Sequence, residues 1–162
     1  MTHDPINVLF LCTGNSARSV MAEVILNRIG DGKFKAYSAG SQPKGQIHPT
    51  TLKLLKKKND NTQGLSSDSW DIFAAPDAPA ITIVVTVCDN AAGEVCPIWP
   101  GHPVQVHWGF PDPAAFTGPE DQELNYFQDI YEQIEKRLKD LIAIAIDDRD
   151  PSALKSQLQK LA

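Results

Sequence analysis

This chain of 162 residues has no long apolar run, no excess of basic residues and few cysteines. The longest apolar stretches, such as Leu141 to Ile146, are far too short to cross a membrane. Lys and Arg number 15 against 20 Asp and Glu, which gives a net charge of -5 and no basic stripe of the kind that nucleic acid needs. These absences argue against a membrane protein and against nucleic acid as a partner.

Only three cysteines are present, Cys12, Cys88 and Cys96. A small, odd number does not suit a disulfide scaffold, and the beginning of the chain lacks a signal-peptide pattern. We therefore expect a cytoplasmic monomer whose thiols serve chemistry. The length and the 42% hydrophobic content predict a single catalytic domain over residues 1–146, followed by a C-terminal extension over residues 147–162.

Four short segments predict strands. Ile6 to Leu11 is typical of a buried strand, and Ile81 to Val87 is β-branched throughout, as expected at the centre of a sheet. Phe34 to Ser38 and Val104 to His107 predict two more. Because helical patterns alternate with these strands, we predict an α/β fold, a three-layer sandwich around a central four-stranded parallel sheet.

Helical spacing follows the first strand and returns near the end of the chain. A further helix is predicted to begin at Pro49 and to turn Leu52 and Leu55 inward. The longest apolar stripe has three-four spacing, and it comprises Leu124, Phe127, Tyr131, Ile134, Leu138, Leu141 and Ala145. Pro151 ends this pattern, and a short amphipathic segment follows.

The segment from Cys12 to Ser19 joins the first strand to the first helix. Unpaired N–H groups and the helix dipole favour an anion there, and a thiol at the start of such a loop should ionise readily. Arg18 would hold a tetrahedral oxyanion through two parallel hydrogen bonds. We predict a nucleophile at Cys12 and an oxyanion-binding loop formed by Thr13, Gly14, Asn15, Ser16, Ala17 and Arg18. The alternative is a small buried cysteine beside a surface arginine.

Cys88 and Cys96 lie eight positions apart after the central strand. Three thiols near one site allow a relay, in which each thiol attacks the one before it by thiol–disulfide exchange. A rigid helix would hold this pair about 12 Å apart, so a disulfide between them requires the segment to bend or unwind. Two alternatives remain open: Cys88 as a buried strand-end residue, or a zinc site of Cys88, Cys96, His102 and His107.

Asp112 stands between two prolines after the last predicted strand, where it could protonate a leaving oxygen or simply form a turn. Four motifs in collinear order, Val8 to Arg28, Ser38 to Gly40, Val84 to Cys88 and His107 to Pro113, resemble the arsenate reductases built on the low-molecular-weight protein tyrosine phosphatase fold. The resemblance runs from about Ile6 to Ala115.

This resemblance implies reduction of arsenate to arsenite, as in arsenic detoxification. Cys12 would attack arsenate, Ser19 would support the thiolate, and Asp112 would protonate the departing hydroxyl. Cys88 would then attack Cys12, and Cys96 would attack Cys88. No tightly bound cofactor is implied, and the reductant would be thioredoxin. The interval between Cys88 and Cys96 is one residue longer than in the best-known thioredoxin-coupled members. The reductant could therefore instead be glutathione with glutaredoxin.

Some members of this family also carry potassium beside the loop, and Asn15, Glu23, Ser38 and Asp68 fall at the matching places. Oxygen ligands of this kind suit a hard cation, although a hydrogen-bond network without metal would use the same residues. Phosphate and sulfate would compete with arsenate for the loop. Two rival functions remain: a phosphatase on the same fold, and a sensor that binds an oxyanion or a metal without turnover.

Overall fold

The computed structural model describes residues 5–87, 103–111, 113, 116–144 and 151–161. Cys88, Cys96, His102 and Asp112, for which the sequence predicts chemical roles, lie outside these described residues, and so does Ala145.

Four strands form one parallel sheet, as predicted. They are β1 (Ile6–Cys12), β2 (Phe34–Gly40), β3 (Ile83–Thr86) and β4 (Val104–His107). The order across the sheet is β2-β1-β3-β4, and all three pairs of neighbours run parallel. The β-branched run is longer than β3 itself. Thr82 and Val87, which flank β3, each donate a backbone hydrogen bond to β1 and so continue the pairing at both ends.

The helices of the described residues are α1 (Arg18–Ile29), α2 (Pro49–Lys57), a 3-10 helix (Trp70–Phe73), α3 (Glu120–Ala143) and α4 (Pro151–Lys160). None of them is long and apolar enough to cross a membrane. In α2 the prediction for Leu52 was wrong: Leu54 and Leu55 are fully buried and Leu52 only partly. Thr51 is also fully buried and begins the i, i+3, i+4 face that contains both leucines, so Leu52 lies at the edge of the stripe.

Alternation along the strands divides the core into two. Val8 and Phe10 face the larger core, which includes buried residues of all four α-helices. Leu9 and Leu11 face a smaller core closed by the 3-10 helix. Helical segments thus cover both faces of the sheet. Helix α4 packs onto the larger core, where two of its leucines, Leu154 and Leu158, are almost fully buried.

The strand order determines where a ligand can bind. From β1 the chain turns through α1 to β2 on one side, whereas β3 lies on the other side of β1. Neighbouring loops diverge at such a reversal and leave a crevice beyond the carboxyl ends of the strands. Cys12 is the last residue of β1 and therefore lies at this crevice.

Candidate active site

Cys12 is buried at the carboxyl end of β1, with 5% of its surface exposed. It pairs in register with Gly40, the last residue of β2. The loop of residues 13–17 follows, and α1 begins at Arg18. The structure thus confirms the predicted strand, loop and helix.

Three carbonyl groups of this loop point outward, toward the segment of residues 42–48. Those of Thr13, Gly14 and Ser16 accept hydrogen bonds of 3.0 Å from the backbone N–H groups of Gln42, Lys44 and His48, respectively. In a trans peptide, the N–H of the next residue points in the direction opposite to the C=O. The N–H groups of residues 14, 15 and 17 are therefore directed away from the 42–48 segment, into the concave side of the loop. Several N–H donors aimed into one concavity form an anion site.

The first turn of α1 adds to this positive potential. Its N-cap is Ala17, which has no side chain to cap the helix, and the turn contains no acidic residue. The helix dipole therefore meets no protein carboxylate within that turn. An oxyanion bound here would receive both the amide donors and the dipole.

Asn15 fixes the shape of the loop. Its φ is 45°, in the left-handed region that asparagine tolerates better than most residues, and its side chain is fully buried. Nδ2 donates to Ser19 Oγ at 2.9 Å and to Ser38 Oγ at 3.0 Å, while Oδ1 accepts the N–H of Asp68 at 2.7 Å. One amide thus joins the loop to α1, to β2 and to the segment before the 3-10 helix.

This network continues to a partly buried carboxylate. Ser38 Oγ donates to Glu23 Oε1 at 2.6 Å. Burial raises the pKa of Glu23 above its usual range; the hydrogen bond from Ser38 opposes the shift, and the negative charge of Asp68 adds to it. The structure brings together Asn15, Glu23, Ser38 and Asp68, the four residues that the sequence predicts as possible potassium ligands.

Arg18 lies between the loop and the segment that follows β4. Its Nη1 donates to the carbonyl oxygen of Phe110 at 3.0 Å. Phe110 in turn donates its N–H to Val87 at 3.1 Å, so it continues the edge of the sheet beyond β4. This contact joins residues 92 positions apart and brings Arg18 to the segment that leads to Asp112.

Gly40 permits the close packing of the loop on β2. A Cβ atom at this position would lie 2.5 Å from the carbonyl oxygen of Thr13 and 2.7 Å from that of Cys12. Both contacts are with backbone, which cannot move aside as the end of a side chain can. The sequence alone does not indicate this role, because the neighbours of Gly40 in space are remote along the chain.

The proposed zinc site gains no support from its one described residue. His107 Nδ1 lies 2.8 Å from Thr86 Oγ1, between adjacent strands. Within the part of the chain that the structure describes, no three His, Cys, Asp or Glu residues are grouped so as to hold a metal ion. The other three zinc candidates lie outside that part.

The fold and the loop define a class of α/β proteins in which a cysteine stands at the entrance of an oxyanion-binding loop. Residues 7–160 match the family described as low molecular weight phosphotyrosine protein phosphatase. The chain belongs to this family.

Arsenate reductases are among the relatives. The arsenate reductase of Bacillus subtilis (strain 168) is 38% identical over 133 residues, which cover 82% of this chain and 92% of the relative. A solved structure of an arsenate reductase in the phosphate binding state has a TM-score of 0.61 and 28% identity, covering 85% of this chain and 97% of that one. The thioredoxin-dependent arsenate reductase of Corynebacterium glutamicum also has a TM-score of 0.61, with 25% identity over 86% of this chain and 62% of its own.

Proposed function

We propose that this protein is an arsenate reductase that converts arsenate to arsenite for arsenic detoxification. The observation that carries the proposal is the loop after Cys12, whose outward carbonyl groups require inward N–H groups, with Arg18 at the start of α1. The similarity to arsenate reductases over 82% of the chain supports arsenate as the oxyanion.

In the first step, the Cys12 thiolate attacks arsenic while Arg18 and the oxyanion-binding loop, residues 13–18, hold the arsenate oxygens. An S–As bond forms and an As–O bond breaks, and Asp112 supplies the proton with which the hydroxyl leaves as water. Ser19 Oγ accepts a hydrogen bond from Asn15, so its hydroxyl hydrogen can point to the thiolate. No atom changes its oxidation state in this step.

In the second step, the Cys88 thiolate attacks the sulfur of Cys12. An S–S bond forms, the S–As bond breaks, and its electron pair remains on arsenic, which leaves as arsenite. Cys96 then attacks Cys88, which releases the Cys12 thiolate and leaves a Cys88–Cys96 disulfide.

An external dithiol must reduce this disulfide before another turnover. We propose thioredoxin, because one similar structure is a thioredoxin-dependent enzyme, with glutathione and glutaredoxin as the alternative. Such reductants are maintained in the cytoplasm, where we place the protein. We further propose that it acts as a monomer, which elution at the size of a single chain would verify.

The relay is tested by mixing the reduced protein with arsenate in the absence of any reductant. We expect one equivalent of arsenite and a Cys88–Cys96 disulfide, quantified by arsenic speciation and peptide mass spectrometry. A Cys12–Cys88 or Cys12–Cys96 disulfide would keep the reductase but change the order of the thiols. If no arsenite formed here or with glutathione and glutaredoxin, the proposal would be wrong.

Phosphate monoester hydrolysis is the second candidate function. The family is that of a phosphatase, and one similar arsenate reductase structure is in a phosphate binding state. Phosphate and arsenate have nearly the same shape, so the loop suits either, and phosphate or sulfate should compete with arsenate. The two functions separate when p-nitrophenyl phosphate hydrolysis is compared with arsenite formation: a phosphatase needs Cys12, whereas a reductase also needs Cys88.

We also propose that potassium binds beside the loop. Asn15, Glu23, Ser38 and Asp68 provide amide, hydroxyl and carboxylate oxygens, the donors that suit a hard cation. A positive ion would stabilise the partly buried carboxylate of Glu23 beside the charge of Asp68. When bound, the ion would supply charge that holds the loop in shape.

The potassium proposal predicts a higher melting temperature in potassium chloride than in tetramethylammonium chloride at equal ionic strength. The Glu23→Gln variant should lose most of this difference. Arg28→Gln, which changes a charged residue of the same helix, should keep it. Equal melting temperatures of the native protein in the two salts would rule out the site.

A further inference from the structure

The C-terminal helix contacts the segment between β4 and Asp112. Trp108 Nε1 donates to the carbonyl oxygen of Leu158 at 3.0 Å, and Trp108 is only 1% exposed. Leu154 and Leu158 anchor α4 in the core. Because the indole N–H is a buried donor, its bond to α4 fixes the ring in one orientation.

Arg137 of α3 contacts the same segment from another direction. Its guanidinium lies 5.7 Å from the centre of the Trp108 ring and 5.1 Å from that of Phe110. Residues two apart on an extended chain share a face, so one planar cation can lie over both rings. Between the two aromatic residues lies the exposed Gly109. Glycine has the least restricted backbone of all residues, so the contacts of its two neighbours keep this segment in one conformation.

Arg137 has little other reason for this position. Within the described ranges, no carboxylate forms an ion pair with it. Burial lowers the pKa of its guanidinium, and the negative charge of Asp140 opposes this shift. Because its guanidinium lies against both rings, Arg137 limits how the segment of Trp108 and Phe110 can move.

The fixed segment ends at the group that holds Arg18. The carbonyl oxygen of Phe110 accepts from Arg18 Nη1 at 3.0 Å. Arginine has five N–H donors in a rigid plane, so fixing one nitrogen also orients the others. A shift of Phe110 would therefore turn the guanidinium relative to the loop after Cys12.

We propose that Arg137, Trp108 and α4 position Arg18 for oxyanion binding, with Arg137 and Trp108 acting as positioning residues that do not touch the substrate. The inference rests on the proposed role of the Cys12 loop as the oxyanion site. It gives the C-terminal extension a part in the activity. Leu158 holds Trp108, Arg137 holds Trp108 and Phe110, and Phe110 holds Arg18.

The test compares Arg137→Met, which keeps an apolar stem without the cation, with Arg137→Lys, which restores the charge but not the plane. Lys58→Met is the matched control, because Lys58 Nζ lies 5.4 Å from the centre of the Tyr131 ring, on another part of the protein. Trp108→Phe removes the indole donor and keeps a ring, and it provides a second route if Arg137→Met does not fold. Inorganic phosphate is the probe, and its dissociation constant is measured by calorimetry on folded protein.

Arg137→Met should weaken phosphate binding by up to about tenfold, which is the size of the effect if the energy of one contact between a cation and rings is lost from the positioning of Arg18. Arg137→Lys should recover part of the loss, and Trp108→Phe should weaken binding in the same direction. The KM for arsenate should rise in parallel with the phosphate constant. Lys58→Met should bind phosphate as the native protein does, even where its melting temperature falls as much as that of Arg137→Met.

Native phosphate affinity in folded Arg137→Met and Trp108→Phe would overturn the inference. It would also fail if Lys58→Met weakened binding equally, because the effect would then follow general destabilisation. Phosphate binding does not depend on arsenate turnover. If the native protein binds phosphate but forms no arsenite, the reductase proposal is refuted. The phosphate affinities of the variants still decide whether the positioning path is correct.

Discussion

Gly40 and Thr13 are so close that a Cβ atom on Gly40 would lie 2.5 Å from the carbonyl oxygen of Thr13. The same carbonyl accepts the N–H of Gln42 at 3.0 Å, a bond that helps to turn the peptide groups of the loop. The close approach of β2 therefore belongs to the construction of the oxyanion site.

Gly40→Ala is expected to lower arsenate turnover about 100-fold or more, since a displacement of about 1 Å at a reacting group has effects of that size. Gly14→Ala is the comparison: its Cβ would meet only the flexible chain of Lys44, at 3.3 Å, so its loss should be much smaller. Turnover and phosphate affinity should be measured on both variants. Equal losses would show that the contact with Thr13 has no special importance.

Asn15→Ala should affect both stability and binding. Three hydrogen bonds of a fully buried side chain are lost, and alanine is less suited than asparagine to a φ of 45°. We expect a loss of about 2–4 kcal/mol in the free energy of unfolding, together with much weaker phosphate binding.

The control for Asn15→Ala is Asn27→Ala. The side chain of Asn27 makes two hydrogen bonds, both with the backbone of Ala36, at 2.8 and 3.2 Å. It should lose stability in urea denaturation but keep native phosphate affinity. If the two variants weakened phosphate binding to the same degree, Asn15 would not have the special role in loop geometry proposed for it.

A buried polar cluster joins α1, α3 and the residues after α2. Tyr131 donates to Asp60 Oδ2 at 2.5 Å, and Arg28 Nε donates to Asp60 Oδ1 at 2.8 Å. Tyr131→Phe leaves a fully buried carboxylate with one donor fewer, which should reduce the free energy of unfolding by about 1–3 kcal/mol. Phosphate affinity should not change, because the cluster does not touch the loop.

The same cluster predicts a pH dependence. Burial, followed by the hydrogen bond to Asp60, raises the pKa of Tyr131 in the folded protein. The resulting stabilisation is complete below the pKa of an unfolded tyrosine, about 10, and is lost as the pH rises through the folded value. Urea denaturation of the native protein and of Tyr131→Phe should therefore show a gap that narrows above about pH 10. A gap that stays constant from neutral to strongly alkaline pH would contradict this assignment.

The fold could be predicted from the sequence because its signals are local. The predicted strand Val104–His107 matched β4 residue for residue, and the first strand and helix placed the Cys12 loop correctly. The contact of Arg18 with Phe110 could not be predicted, since it joins residues 92 positions apart and depends on the strand order. The prediction that Leu52 is buried was wrong for a related reason. Several apolar residues in a short helix allow more than one inward face, and tertiary packing decides between them.

The order of the thiols gives the sharpest test of the chemistry. In Cys96→Ser, the first two steps need no residue that has been changed, so one equivalent of arsenite should form and a Cys12–Cys88 disulfide should persist. Turnover with thioredoxin should fall to a small fraction of the native rate. Cys88→Ser should form no arsenite, because the relay assigns the attack on the sulfur of Cys12 to Cys88, whereas Cys96 attacks only Cys88.

Cys12→Ser serves as the blank for both variants, and all three proteins should bind phosphate, which shows that the loop is intact. Native steady-state turnover in Cys96→Ser would remove Cys96 from the relay and leave the external reductant to attack Cys88 or Cys12 directly. Arsenite formation by Cys88→Ser, with a Cys12–Cys96 disulfide, would instead exchange the two roles. In either case the electron pair still reaches arsenic through Cys12, so only the source of the second sulfur changes.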